Sequence, residues 1–243
     1  MSHERLRDDV AAAARRLAHE GLLVGTAGNV SARDGDLVAV TASGVTLAGC
    51  RPEDVTVVSL EGAVVEGDLR PTSELSLHLG VHADSWADTG TAAVVHTHAP
   101  YSTAVACVLD ELPVLHYQQL LLGGAIRVAP YATFGTPELA AAVREALVGR
   151  QAALMGNHGS VAVGGSLDAA VENALLLEWL AALHHRAAAL GTPRALTAEE
   201  QDDVVRAALS RGYGTTHHHP AHNPAHDPAH DPAHDPAHNQ ENA

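Results

Sequence analysis

The sequence predicts an α+β or mixed three-layer fold, and three observations carry that prediction. In the first third, apolar and polar residues alternate around two turn signals, Asp34-Gly35 and Glu61-Gly62, which marks antiparallel hairpins. Helical spacing then takes over, in "PTSELSLHLGVHAD" and again across the long stretch from Ser166 to Leu190. No regular strand–helix–strand alternation runs along the chain, so a uniformly parallel sheet is not expected.

Taken in order, Ser2 to Glu20 predicts an amphipathic helix with Ser2 as its cap and Gly21 as its stop. The runs flanking Asp34-Gly35 and Glu61-Gly62 predict two hairpins. In "PTSELSLHLGVHAD", Leu75, Leu79 and His82 share one side of a predicted helix. "TAAVVHTH" is a short buried strand, and Pro100 to Leu109 a helix. "GAIRVAPYATFGT" reads as a strand followed by a loop. Thr136-Pro137-Glu138 then opens a helix to about Val148, with a cap, a proline at the first position and an early acid. "AALMGNHGSVAVGG" gives two strands around a turn at Asn157-His158-Gly159, and helices follow from Ser166 to Leu190 and from Thr197 to Ser210. No linker interrupts residues 1–214, which are expected to form one domain. From Thr215 the chain carries "PAHNPAHDPAHDPAHDPAHN", where a proline every fourth residue forbids regular helix and sheet interior. Residues 215–243 are expected to be a disordered tail whose histidines bind transition metals weakly, without a preorganised site.

Composition narrows the function. The 243 residues hold 14 basic and 29 acidic side chains, a formal charge of −15, which argues against a nucleic-acid surface. Lysine is absent from the sequence, so chemistry through a lysine imine is excluded. Cys50 and Cys107 read as free thiols of a reducing compartment. The charged N-terminal stretch and the lack of a long apolar run predict a cytoplasmic protein without membrane association.

The chemistry-bearing residues are polar groups set among apolar runs. His96 and His98 stand two apart on a predicted strand, so both imidazoles point the same way. They are either packing residues or half of a metal site. A catalytic zinc site takes three protein ligands and keeps an open position. His158, in a glycine-flanked turn, is the best third ligand, and Glu74, at a helix start, is the available carboxylate. Gly28-Asn29 and Ser43-Gly44 fall at one edge of the first hairpin, and Thr72-Ser73 at a helix N-terminus, where backbone N–H groups favour an anion. Without lysine, a phosphate here would rest on backbone N–H groups, hydroxyls and an amide. Turn and capping chemistry is the bland alternative for the same residues.

The ordered set "GTAGNVSAR", "TASG", "PTSELSLH", "VVHTHAPYSTA", "HYQQLLLGG", "PYATFGT" and "MGNHG" resembles the class II aldolase/adducin family across residues 1–214. The resemblance implies a three-layer α/β/α sandwich around a mainly antiparallel central sheet. It implies a homotetramer with active sites at subunit boundaries, and one Zn²⁺ per subunit held by His96, His98 and His158, with Mn²⁺, Co²⁺ or Fe²⁺ as other choices. Glu74 is then the acid/base and a resting-state ligand. Gly28, Asn29, Ser43, Gly44, Thr72 and Ser73 hold the substrate phosphate. Tyr117 is an active-site tyrosine supplied across a subunit boundary, and Tyr213, in "RGYG", matches a C-terminal tyrosine. The implied reaction is cleavage of a ketose 1-phosphate, L-fuculose 1-phosphate or similar, to dihydroxyacetone phosphate and an aldehyde such as lactaldehyde. Rhamnulose, ribulose and 5-deoxypentulose phosphates are also open. The alternatives on the same scaffold are a sugar-phosphate 4-epimerase and a thiosugar-phosphate dehydratase. Ala42 and Glu74 stand where such epimerases carry a lysine and an aspartate, which favours the aldolase. A non-enzymatic adducin-like scaffold and a metal-storage protein complete the set.

Overall fold

The computed structural model describes residues 3–211, apart from the side chains of residues 85–89. Helix α1 (His3–His19) precedes two hairpins, β1 (Asn29–Asp34) with β2 (Leu37–Thr41) and β3 (Val55–Ser59) with β4 (Val64–Glu66). Then come α2 (Leu75–Thr89), β5 (Ala93–Thr97), α3 (Pro100–Ala106) and the short β6 (Glu111–Leu112). A 3-10 helix, Tyr117–Leu122, leads to β7 (Ile126–Ala129), α4 (Pro137–Leu147), β8 (Ala152–Met155) and β9 (Gly159–Gly164). Helices α5 (Leu167–Leu190) and α6 (Ala198–Arg211) follow. Residues 1–205 make one compact unit; of the second, 206–243, the described part is the end of α6. The expected boundary at 214, the tail 215–243, Tyr213 and the Ser2 cap lie outside the described residues.

One sheet of nine strands runs in the order β4-β3-β2-β1-β5-β9-β8-β7-β6. Every pairing is antiparallel except that of β7 with β8. The two turn signals act as expected: Gly35 and Gly62 take the left-handed φ of 60° and 85° that tight reversals require. Because side chains alternate along a strand, each central strand feeds two cores. Ala93, Val95, Leu154 and Ala162 join the core beneath α1, α3 and α5, while Val94, Ala153, Val161 and Val163 join the core beneath α2 and α4. Helices on both faces of a mostly antiparallel sheet are the expected three-layer sandwich. Each buried Val or Leu contributes about 1.5–3 kcal/mol.

Side-chain caps hold three helix starts, the predicted one at Thr136 among them. Thr136 Oγ1 accepts from Leu139 N at 3.3 Å, and Ser166 Oγ accepts from Ala169 N at 3.2 Å. At α6, Thr197 Oγ1 accepts from Glu200 N while Glu200 Oε2 accepts from Thr197 N, a reciprocal capping box. The buried face of α2 differs from the expected one. Leu77, His78, Val81 and His82 are buried, whereas Leu75 and Leu79 are half-buried beside Gly62. His78 belongs to the inner face because β1 offers it polar partners, which an apolar periodicity does not register. The two-residue β6 and the 3-10 helix carry no period at all and escape a sequence reading.

Candidate active site

The site lies at the end of the central strand. β5 pairs with β1 so that Asn29 faces His96, and with β9 so that His96 faces Val161 and Thr97 faces Ser160. This register brings the β8–β9 turn, and His158 on it, beside His98. Asn157 holds that turn with a φ of 54°, a left-handed conformation that asparagine tolerates better than most residues. Gly159 follows because no side chain fits there: a Cβ would collide with the Thr97 carbonyl and crowd the rings of His96 and His98. Gly28, with φ 96°, lies under the same restriction, its Cβ position falling 2.9 Å from the His96 carbonyl oxygen.

His96, His98 and His158 converge, each offering one ligand atom, and these atoms lie within 4.8 Å of one another. The ring centroids are 4.8, 4.9 and 4.9 Å apart, and the two Nε2 atoms of His96 and His98 approach to 3.0 Å. His96 Nδ1 lies 2.9 Å from the Ser160 carbonyl, which can only accept, so Nδ1 carries a proton and Nε2 is the atom turned to the cluster. Burial, then the neighbouring imidazoles, push His98 down to about 4, and burial likewise lowers His158. His98 and His158 are therefore neutral near neutral pH, the form in which an imidazole can take a metal.

Glu74 closes the cluster. Its Oε2 lies 3.1 Å from His96 Nε2 and accepts from Asn29 Nδ2 at 3.0 Å. Oε1 lies 3.7 Å from His158 Nε2 and, among the described residues, is buried without a hydrogen-bond partner. Burial opposes ionisation of this carboxyl, but the hydrogen bond and charge of His96 and the Asn29 amide outweigh it, holding Glu74 well below the usual carboxylate range. A buried carboxylate with an unspent oxygen beside three imidazoles fits a divalent transition metal, whose charge would satisfy both.

A cavity of about 340 Å³ opens onto this group, within the range of small-molecule sites. Its walls include the expected Gly28, Asn29, Ser43, Gly44, Thr72, Ser73, Glu74, His98 and His158. His96 is fully buried beneath them. None of the described lining residues is arginine, in keeping with an anion held by hydroxyls, amides and backbone N–H groups. Tyr117 does not join the cavity of its own chain; it is 39% exposed and stacks on His116 with ring centroids 4.6 Å apart. The reading missed Thr26, Tyr131, Phe134 and Asn157, which also line the cavity. Tyr131 and Phe134 carried a signal: exposed aromatics on one loop of a chain only 3% aromatic.

The fold and this site define a class. Residues 8–185 match the family described as Class II Aldolase and Adducin N-terminal domain. The chain belongs to the class II aldolase/adducin family. Among its relatives, a 5-methylthioribulose-1-phosphate/5-deoxyribulose-1-phosphate aldolase of Rhodospirillum rubrum is 41% identical over 82% of this chain and 89% of its own. A 5-deoxy-D-ribulose 1-phosphate aldolase of Bacillus thuringiensis serovar kurstaki is 35% identical over 87% of this chain and 98% of its own. A solved L-fuculose 1-phosphate aldolase superposes with a TM-score of 0.80 at 32% identity, over 86% of this chain and 100% of its own. The expected class, an enzyme and a class II aldolase-type lyase, is shown by these relatives. Among the described residues no helix is long and apolar enough to cross a membrane.

Proposed function

We propose that the protein is a zinc-dependent aldolase that cleaves a 5-deoxypentulose 1-phosphate, or its 5-methylthio analogue, to dihydroxyacetone phosphate and a short aldehyde. The observation that carries this reading is the convergence of His96, His98 and His158 with Glu74 at the floor of a polar cavity without arginine. The choice of sugar is supported by the two deoxyribulose-phosphate relatives, at 41% and 35% identity. Tyr131 and Phe134 give the cavity an apolar wall suited to a methyl or methylthio terminus, a feature that the 6-deoxyhexulose phosphates share. L-Fuculose 1-phosphate, with its hydroxylated aldehyde, becomes the second choice.

His96, His98 and His158 would hold the ion, with Glu74 able to reach it. When bound, the divalent ion supplies Lewis-acid stabilisation of the enediolate left as the bond between C3 and C4 breaks. Glu74 exchanges the proton at C3 of the three-carbon fragment, adding it in cleavage and removing it in condensation. Its depressed affinity for protons keeps it ionised and ready as the base for condensation. Gly28, Asn29, Ser43, Gly44, Thr72 and Ser73 hold the phosphate through backbone N–H groups, hydroxyls and the second N–H of the Asn29 amide. Tyr117 of a neighbouring subunit, in a cytoplasmic homotetramer, and Tyr213 orient the C4 oxygen and relay its hydroxyl proton, passing it to solvent in cleavage and returning it to the aldehyde oxygen in condensation. The exposure of Tyr117 on its own chain agrees with service to another.

A panel of ketose 1-phosphates tests the reading. The highest kcat/KM is expected on 5-deoxyribulose and 5-methylthioribulose 1-phosphates. A clear preference for L-fuculose 1-phosphate would overturn the sugar assignment.

A further inference from the structure

Behind Glu74, away from the cavity, a file of buried polar side chains runs between β1 and α2. Asn29 Nδ2 donates to Glu74 Oε2 at 3.0 Å, and Asn29 Oδ1 lies 2.5 Å from His78 Nε2. His78 Nδ1 lies 2.7 Å from Ser31 Oγ, and the same oxygen lies 2.8 Å from His82 Nε2. Ser31, His78 and His82 are each 0% exposed, and none lines the cavity. Local geometry assembles the file: Ser31 follows Asn29 by two on one face of a strand, and His78 and His82 stand four apart on one face of a helix.

Only one arrangement of protons satisfies all four contacts. An ionised carboxylate accepts and never donates, so Asn29 must turn Nδ2 to Glu74 and Oδ1 to His78. His78 must then donate from Nε2. A neutral imidazole carries a single N–H, so His78 Nδ1 accepts, and the Ser31 hydroxyl donates to it. That spends the one proton of Ser31, and His82 must donate to Ser31 Oγ from Nε2. Burial pushes both imidazoles down to about 3, which keeps them neutral as this count requires. Leucines in these positions would fill the core without the desolvation cost of a polar network, so packing alone does not account for the file.

We infer that Ser31, His78 and His82 are positioning residues, a one-directional hydrogen-bond chain that locks the Asn29 amide with its donor toward Glu74. This rests on Glu74 being the acid/base of the reading above. Without the chain, His78 can take its other tautomer. The Asn29 amide then turns over, and its oxygen faces the carboxylate it formerly held. Repulsion moves Glu74 away from the C3 proton, and the turned amide withdraws its second N–H from the phosphate, while His96, His98, His158 and the rest of the phosphate cradle stay in place.

Two measurements test the inference. In full-length protein labelled with ¹⁵N-histidine, His78 and His82 should both be neutral Nε2–H tautomers at pH 7, assigned by the signals lost in His78→Gln and His82→Leu. An Nδ1–H tautomer or an imidazolium at His78 would overturn the chain whatever the enzyme cleaves. In kinetics, Ser31→Ala and His82→Leu should lower kcat and C3 proton exchange by about 10–100-fold, with bound metal unchanged and KM raised by far less than kcat falls. His82→Gln should recover most of the loss, because its amide N–H replaces the Nε2–H. Equal losses in the Leu and Gln variants, or metal lost in step with rate, would overturn the positioning role. If the tautomers are as stated and wild-type protein cleaves no ketose phosphate, the functional reading fails while the polarity of the chain stands.

Discussion

Glu74 is held between opposing demands: burial disfavours its charge, while His96 and Asn29 favour it. Glu74→Gln keeps the shape and removes the proton acceptor. Turnover should fall roughly 100- to 10,000-fold with the fold and most of the metal retained. Exchange of the C3 proton of dihydroxyacetone phosphate with solvent reads this step alone, and near-normal exchange would mean another base operates. Replacing His96, His98 and His158 together with Ala in protein truncated at Gly214 should abolish the one tight metal equivalent, as metal analysis would read it. The core of this site was legible because its residues obey local rules. His96 and His98 share a face by strand period, His158 sits in a glycine-flanked turn, and Glu74 opens a helix. The chain from Asn29 to His82 was not legible, because its contacts join residues 47 to 51 positions apart and leave no local pattern.

At the scale of elements, the β8–β9 turn is tightly constrained where it meets the cluster. A methyl at Gly159 would sit 3.2 Å from His98 Cδ2 and 3.3 Å from His96 Cε1, besides colliding with Thr97. Gly159→Ala should therefore destabilise the fold by about 1–3 kcal/mol. It should also weaken metal binding, because the rings it pushes are two of the proposed ligands; a denaturant titration and a metal titration read the two effects separately. The hairpins were legible because turn residues flank alternating runs. The inner face of α2 was not fully so: its buried histidines answer to Asn29 and Ser31 on β1 rather than to hydrophobic spacing. Tyr131 and Phe134 reach the cavity through a loop whose path no period encodes.

For the whole molecule, buried neutral histidines make stability depend on pH. Burial pushes His78 and His82 down to about 3 in the folded protein, from 6.5 in an ordinary environment. The unfolded chain thus takes up protons first as pH falls, and stability drops with a slope of up to about two protons from these groups. The denaturation midpoint of metal-free protein should be flat in their contribution above about pH 7 and fall steadily below 6.5. His82→Leu should reduce that slope by about one proton. The absence of lysine shapes the chemistry as strongly, since it leaves a metal as the available electron sink for an aldol cleavage. The most direct test follows release of dihydroxyacetone phosphate from 5-deoxy-D-ribulose 1-phosphate by the purified protein, before chelation, after it, and after zinc is restored. Cleavage should vanish with the metal and return with one equivalent per chain. Cleavage undiminished in fully metal-free protein, or no release from any ketose 1-phosphate by the zinc-loaded protein, would contradict the account.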